Sequence, residues 1–182
     1  RGRNVTVIFG DGAGAAVLSR SEEDGRGILS SHLHSEGKHA KELALEGPST
    51  SRWVPEIIAE NNPDDESYYP YMNGQFVFKH AVVRFSEAII EGLEANGLQK
   101  EDINMLIPHQ ANLRIAQFIQ RKFQLNDDQV YNNIMNYGNT TAASVIIALT
   151  EAWEKGKINE GDLVVLAAFG SGFTWGSVVV RW

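Results

Sequence analysis

The sequence predicts an α/β fold: a mixed, mainly parallel sheet covered by helices. Three observations carry this. Strand-like and helix-like stretches alternate from residue 28 onward, the pattern of parallel strands joined by covering helices. Hydrophobic residues make up 43% of the 182 residues and charged ones 21%, which excludes a disordered or fibrous chain. The longest apolar run, Leu163 to Phe169, falls far short of the about 18 residues that a membrane span requires.

Val5 to Phe9 is short, β-branched and bounded by glycine, which predicts a buried strand. Gly10-Asp11-Gly12 supplies a turn, and Ala15 to Leu18 reads as a second strand. Ile28 to His34 follows as a third, with Ile28, Ser30, His32 and His34 on one side. The stretch from residue 36 to 71 has little periodicity. Within it, Trp53 to Glu60 reads as a short helix and residues 61–65 as a loop. Phe78, Val82, Phe85, Ile89 and Leu93 then recur at helical spacing, with Gly97 placed for a C-terminal cap. Met105 to Ile107 is a strand, and Asn112 to Phe123 an amphipathic helix that turns Ala116, Ile119 and Phe123 inward. Val130 to Met135 reads as a strand. Ala142, Val145, Ile146, Leu149 and Trp153 mark a further helix, and Leu163 to Ala168 and Ser177 to Arg181 close the chain as strands.

Composition narrows the chemistry. The sequence contains no cysteine, so it offers neither disulfides nor a thiol nucleophile. A net charge of −7, from 16 basic and 23 acidic residues, argues against nucleic acid as a partner. Gly10 to Ala15 formally fits a G-x-G-x-x-A dinucleotide motif. However, Ser19 to Gly25 follows too soon for the helix that would hold the pyrophosphate. His32, His34, Glu36 and His39 offer zinc-type ligands at strand spacing, yet no further ligand cluster follows, so no metal is expected. Ser171 lacks the flanking glycines of a nucleophile elbow, since Phe169 and Phe173 stand there. Three edges are more informative. Pro108 to Arg114 carries a histidine between a strand and a helix. Tyr137 to Ser144 repeats the strand-to-helix arrangement, and Ala168 to Gly176 is a glycine-rich turn between the last strands. Read singly, His109 is a buried histidine, Asn139 an N-cap and the glycines a turn; together, three strand-end edges can converge on one site.

Pro-His-Gln-Ala-Asn-Leu-Arg at 108–114, Gly-Asn-Thr-Thr-Ala-Ala-Ser at 138–144 and Ala-Phe-Gly-Ser-Gly-Phe-Thr-Trp-Gly at 168–176 resemble β-ketoacyl-acyl-carrier-protein synthase III. Phe-Gly-Asp-Gly-Ala-Gly-Ala at 9–15 and Met72-Asn73-Gly74 with Val77-Phe78-Lys79 match as well, in family order. The resemblance implies the C-terminal half of a thiolase-like fold. Residues 1–27 would be the closing strands of an otherwise missing N-terminal half, and 28–182 the C-terminal domain. It implies a decarboxylative Claisen condensation of acyl-CoA with malonyl-acyl-carrier protein at the start of fatty-acid synthesis. His109 and Asn139 match the catalytic pair, and the Ser171 backbone N–H matches a second oxyanion donor, where the family usually has glycine. Asn112, Phe169 and Gly74 would line the substrate channel. Arg114, Lys79, Arg121 and Lys122 would dock the acidic carrier protein. No cofactor or metal is implied beyond the thioester substrates. The implied partners are the N-terminal half bearing the nucleophilic cysteine, the carrier protein, coenzyme A thioesters and a second copy in a homodimer. No nucleic acid and no membrane span are implied. A cytoplasmic location fits, with a start at Arg1 that is not a natural beginning. The competing readings are a non-catalytic thiolase-fold subunit that binds acyl chains or carrier protein, and a related condensing enzyme of secondary metabolism.

Overall fold

The structure, a computed structural model, describes residues 3–47 and 66–182, so the expected helix at 53–60 and loop at 61–65 lie outside the described residues. In chain order it has a single helical turn α1 (Arg3–Thr6), strands β1 (Gly27–Ser35), β2 (Leu43–Ala44) and β3 (Tyr71–Met72), and helix α2 (Gly74–Ala95). Strand β4 (Met105–Pro108), helices α3 (Leu113–Phe123), α4 (Ile134–Tyr137) and α5 (Ala143–Glu154), and strands β5 (Leu163–Gly170) and β6 (Thr174–Arg181) follow.

Four strands form one sheet in the order β1-β6-β5-β4. The mixed sheet is as expected, but its balance is not. Only β4 and β5 run parallel; β5–β6 and β1–β6 are antiparallel. The reason is the connection between β5 and β6, which is too short to cross back over the sheet and so makes a hairpin.

Strand alternation assigns the core to two faces. Leu106, Leu163, Val165, Ala167 and Val179 pack with Phe85, Ile89 and Ile119 of α2 and α3. Met105, Ile107 and Val164 pack with Ala148 and Ala152 of α5. Burying side chains such as Phe85 and Ile89 contributes about 1.5–3 kcal/mol each. The sheet therefore lies between helices. That arrangement places the C-terminal end of β4 and the N-terminal end of α5 side by side.

Helix α2 follows the periodic reading closely. Asn73 caps its start, accepting the Phe76 N–H at 3.4 Å, and Gly97 follows Asn96 at a φ of 65°, where an L side chain would be strained. Four expectations need correction. Val5 to Phe9 is not a strand: Val7, Ile8 and Phe9 donate to Arg3, Val5 and Thr6, and only Phe9 makes a bridge, to Asn139. Ala15 to Leu18 is not a strand either, with Val17 96% and Leu18 76% exposed. In both cases an apolar run lacks a neighbouring strand among the described residues, and propensity alone does not make a sheet. Val130 to Met135 is a bridge at Val130 followed by α4, because the Gln110 side chain accepts the Asn133 and Ile134 N–H groups and turns the chain. Finally, β1 shifts register between Ile28 and Ser30, which turns Ile28 outward and Leu29 toward the core. On α5 the inward face is Ser144, Ala148 and Ala152, while Trp153 is exposed beside Trp182.

Candidate active site

His109 is the first residue past β4, and its N–H donates to Ala167 at 2.8 Å, continuing the ladder with β5. Its imidazole therefore stands at the sheet's C-terminal rim, just before Asn112 opens α3. Its Nδ1 lies 2.6 Å from the Ser144 hydroxyl in the first turn of α5. The Gln110 N–H donates to that same hydroxyl oxygen at 3.2 Å. The hydroxyl hydrogen has no other acceptor among the described residues, so we assign it to Nδ1, which makes Nδ1 the acceptor and Nε2 the N–H. Burial pushes the imidazole pKa down to about 4, so the ring is neutral at neutral pH.

Asn139 is buried four residues before α5, whose N-cap position is Ala142, so it is not the N-cap that its place in the sequence suggests. Its backbone pairs with the N-terminal segment: it donates to Ile8 at 2.9 Å and accepts from Gly10 at 3.0 Å. A Cβ on Gly10 would meet the Tyr137 carbonyl oxygen at a distance no real side chain tolerates, so glycine is needed there for close approach. This gives the glycine run at 10–14 a packing role and leaves no phosphate-binding helix behind it. The Asn139 Oδ1 accepts the Thr141 N–H at 2.9 Å, which leaves its amide hydrogens as the group available to a ligand. Thr141 in turn accepts the Ser144 N–H, so Asn139 and the hydroxyl on His109 are fixed by one loop.

Ser171 occupies the β5–β6 turn. Positive φ in this turn falls on Gly172, at 135°, and not on Ser171, so serine is accommodated. Its hydroxyl donates to the Leu43 carbonyl at 2.6 Å. Phe169 is buried against Phe173, Asn112 caps α3 by accepting the Arg114 N–H at 2.9 Å, and Gly74 is the exposed first residue of α2. Arg114, Arg121 and Lys122 are exposed on α3, and Lys79 is exposed on α2. None of the four has an ion-pair partner among the described residues.

Two residues here went unassigned in the sequence reading. Ser144 lies inside the 138–144 motif, but its role needs the fold, because His109 is 35 residues upstream. His80 also gave no signal. The four candidate zinc ligands split: His32 and His34 both reach Glu91, while Glu36 and His39 meet His80.

The neutral imidazole has a measurable cost in acid. A histidine that protonates near pH 6.5 when unfolded and near 4 when folded makes the unfolded chain bind its proton first. The native state loses stability as pH falls from about 6.5 to about 4, by up to roughly 3 kcal/mol, and the contribution is flat above and below that window. Urea unfolding should show a steeper acid loss for the wild type than for His109→Gln. Parallel curves across pH 4 to 7 would mean that His109 is not buried in the neutral form.

The family model described as 3-oxoacyl-[acyl-carrier-protein (ACP)] synthase III C terminal matches residues 93–182, and that described as 3-oxoacyl-[acyl-carrier-protein (ACP)] synthase III matches residues 1–37. The chain is 46% identical over 184 residues to a β-ketoacyl-[acyl-carrier-protein] synthase III of Rhodospirillum centenum, and 47% identical over 180 residues to that of Caldanaerobacter subterraneus. Each alignment covers 99% of this chain and 53% of the relative. Among solved structures, the 3-oxoacyl-[acyl-carrier-protein] synthase III of Aquifex aeolicus superposes with a TM-score of 0.85 at 38% identity, over 99% of this chain and 52% of that one. The Thermus thermophilus enzyme gives 0.79, also at 38% identity, over 99% and 53%. The chain spans about half the length of the curated relatives it matches.

Proposed function

The chain belongs to the 3-oxoacyl-[acyl-carrier-protein] synthase III family, and from that premise we propose that it acts as the C-terminal catalytic part of such a synthase. The reaction is the decarboxylative condensation that starts fatty-acid synthesis. The bond between the malonyl Cα and its carboxylate breaks, and carbon dioxide leaves. The electron pair passes into the thioester enolate, and Cα then attacks an acyl group held as a cysteine thioester. The cysteine thiolate leaves as the new carbon–carbon bond forms.

The observation that carries this reading is the Ser144 hydroxyl on His109 Nδ1. It holds the ring as an Nε2 donor, and burial keeps the ring uncharged. A neutral donor suits an enolate oxygen whose charge appears only during the reaction. The Asn139 amide supplies the second donor. The Ser171 N–H would serve the acyl-cysteine carbonyl, with Asn112, Phe169 and Gly74 along the approach. Arg114, Arg121, Lys122 and Lys79 would receive an acidic carrier protein. No cofactor is needed for these steps beyond acyl-CoA and malonyl-carrier protein.

The sequence holds no cysteine, so the thiol must come from an N-terminal half outside these residues. Residues 1–27 would pack with that half and 28–182 form the C-terminal domain, with the complete enzyme a cytoplasmic homodimer. Among the described residues, no helix is long and apolar enough to cross a membrane. The test combines this protein with a separately expressed cysteine-bearing half and follows ketoacyl product from acyl-CoA and malonyl-carrier protein. Product should require both parts, and the rate should fall with added salt, which screens carrier docking. Robust turnover by this chain alone would overturn the assignment of the nucleophile.

A further inference from the structure

Residues 36–43 form a strap across the β5–β6 turn. At one end Glu36 and Phe173 exchange backbone hydrogen bonds, at 2.7 and 2.9 Å. At the other end Leu43 accepts the Ser171 hydroxyl and pairs with Met72 through β2–β3. Between these anchors Glu36 and His39 face His80 of α2, and one ligand atom from each lies within 4.8 Å of the other two. All three side chains are half-buried.

We propose that Glu36, His39 and His80 form a binding site for a zinc-type divalent cation, which would lock the strap to α2 beside the Ser171 turn. The donor set is two imidazole nitrogens and one carboxylate oxygen. That set suits zinc and its transition-metal neighbours, whereas magnesium and calcium prefer oxygen ligands alone. Zinc bonds of about 2.0–2.1 Å place tetrahedral ligand atoms about 3.3 Å apart, so the cluster must close by about 1.5 Å at most.

The surroundings permit that closure. The His39 and His80 rings lie 4.8 Å apart and both pack against Phe76 and Phe173, so aromatic contacts keep the two imidazoles together. The two oxygens of Glu36 are engaged separately, Oε1 by Lys38 and Oε2 by Arg84. Lys38 is exposed, and a surface pair of that kind is weak. A cation can therefore displace Lys38 from Oε1 while Arg84 keeps the carboxylate oriented. Three protein ligands would leave the fourth position to water. The inference stands on these residues and does not rest on the proposed condensation.

Calorimetric titration of the purified protein with Zn²⁺ should show one equivalent bound and a higher Tm, with no such response to Mg²⁺. His80→Phe keeps the aromatic packing and removes a ligand, and Glu36→Gln removes the charge. Each should weaken Zn²⁺ binding by at least about tenfold, the lower bound seen when only a ligand's supporting group is lost. Glu91→Gln, at the separate His32 and His34 pair, should change nothing. Nitrogen NMR of the imidazoles needs no variant: Zn²⁺ should shift the ring nitrogens of His39 and His80 but not those of His32 and His34. Absence of Zn²⁺ binding, unchanged affinity in both ligand variants, or shifts confined to His32 and His34 would each overturn the proposal.

Discussion

Replacing His109 with alanine should slow malonyl decarboxylation by about 10²–10³-fold in the assembled enzyme, the usual cost of losing one preorganised oxyanion donor. Asn139→Ala should act on the same step with similar size. Acylation of the cysteine by acyl-CoA should survive both changes, because the enolate forms only afterwards. Ser144→Ala offers a sharper contrast. It leaves the imidazole in place but removes the hydroxyl 2.6 Å from Nδ1 that selects the tautomer. Its decarboxylation rate should fall, and nitrogen NMR should show that Nε2 is no longer uniformly protonated. Normal decarboxylation in His109→Ala or Asn139→Ala would sink the oxyanion assignment. Purely structural roles for the two side chains would instead lower stability and reduce every activity in proportion.

Gln110→Ala should be among the most destabilising single changes in the molecule. The side chain is buried and makes four hydrogen bonds to backbone. Nε2 donates to Pro108 at 2.8 Å and Tyr131 at 3.2 Å, and Oε1 accepts from Asn133 at 3.0 Å and Ile134 at 3.1 Å. Each buried group left without a partner costs about 1–3 kcal/mol, so with partial rescue by water the loss should be roughly 3–5 kcal/mol. Gln110→Met separates the causes, since it keeps the volume and discards the bonds; it should lose most of the same stability. Denaturant unfolding is the measurement, and a loss below about 1 kcal/mol for Gln110→Met would refute the account. Because the Gln110 N–H also donates to Ser144, loosening here should reach the His109 ring as well.

What the sequence made legible follows from how local the determining forces are. Helix α2 is long and periodic, so its pattern and its Gly97 stop could both be read in place. The position of His109 between a strand and a helix was equally local. Ala15 to Leu18 failed because a strand is a contract between two segments, and the run itself does not reveal whether a neighbour exists. Val130 to Met135 failed because the Gln110 side chain, 23 and 24 residues upstream of Asn133 and Ile134, takes the backbone groups that a ladder would have used. Ile28 was placed on the wrong face by one extra residue, since a bulge resets the alternation of everything before it. Motif resemblance drew attention to His109, Asn139 and Ser171. It gave no hint that Ser144 orients the first, or that His80 crosses 41 residues to meet His39.

The antiparallel pairing of β1 with β6 also sets the order in which the molecule can be completed. Ser35 pairs with Thr174, so β1 leaves the ribosome 139 residues before its partner begins. At about 5–20 residues per second, the wait lasts roughly 7–30 s. Throughout it β1 has two open hydrogen-bonding edges, and it carries Ile28 and Leu33, which remain exposed even in the finished fold. Chaperone capture during synthesis should therefore concentrate on residues 27–35, and the interval ends only when β6 emerges and closes both β1 and β5 in one step.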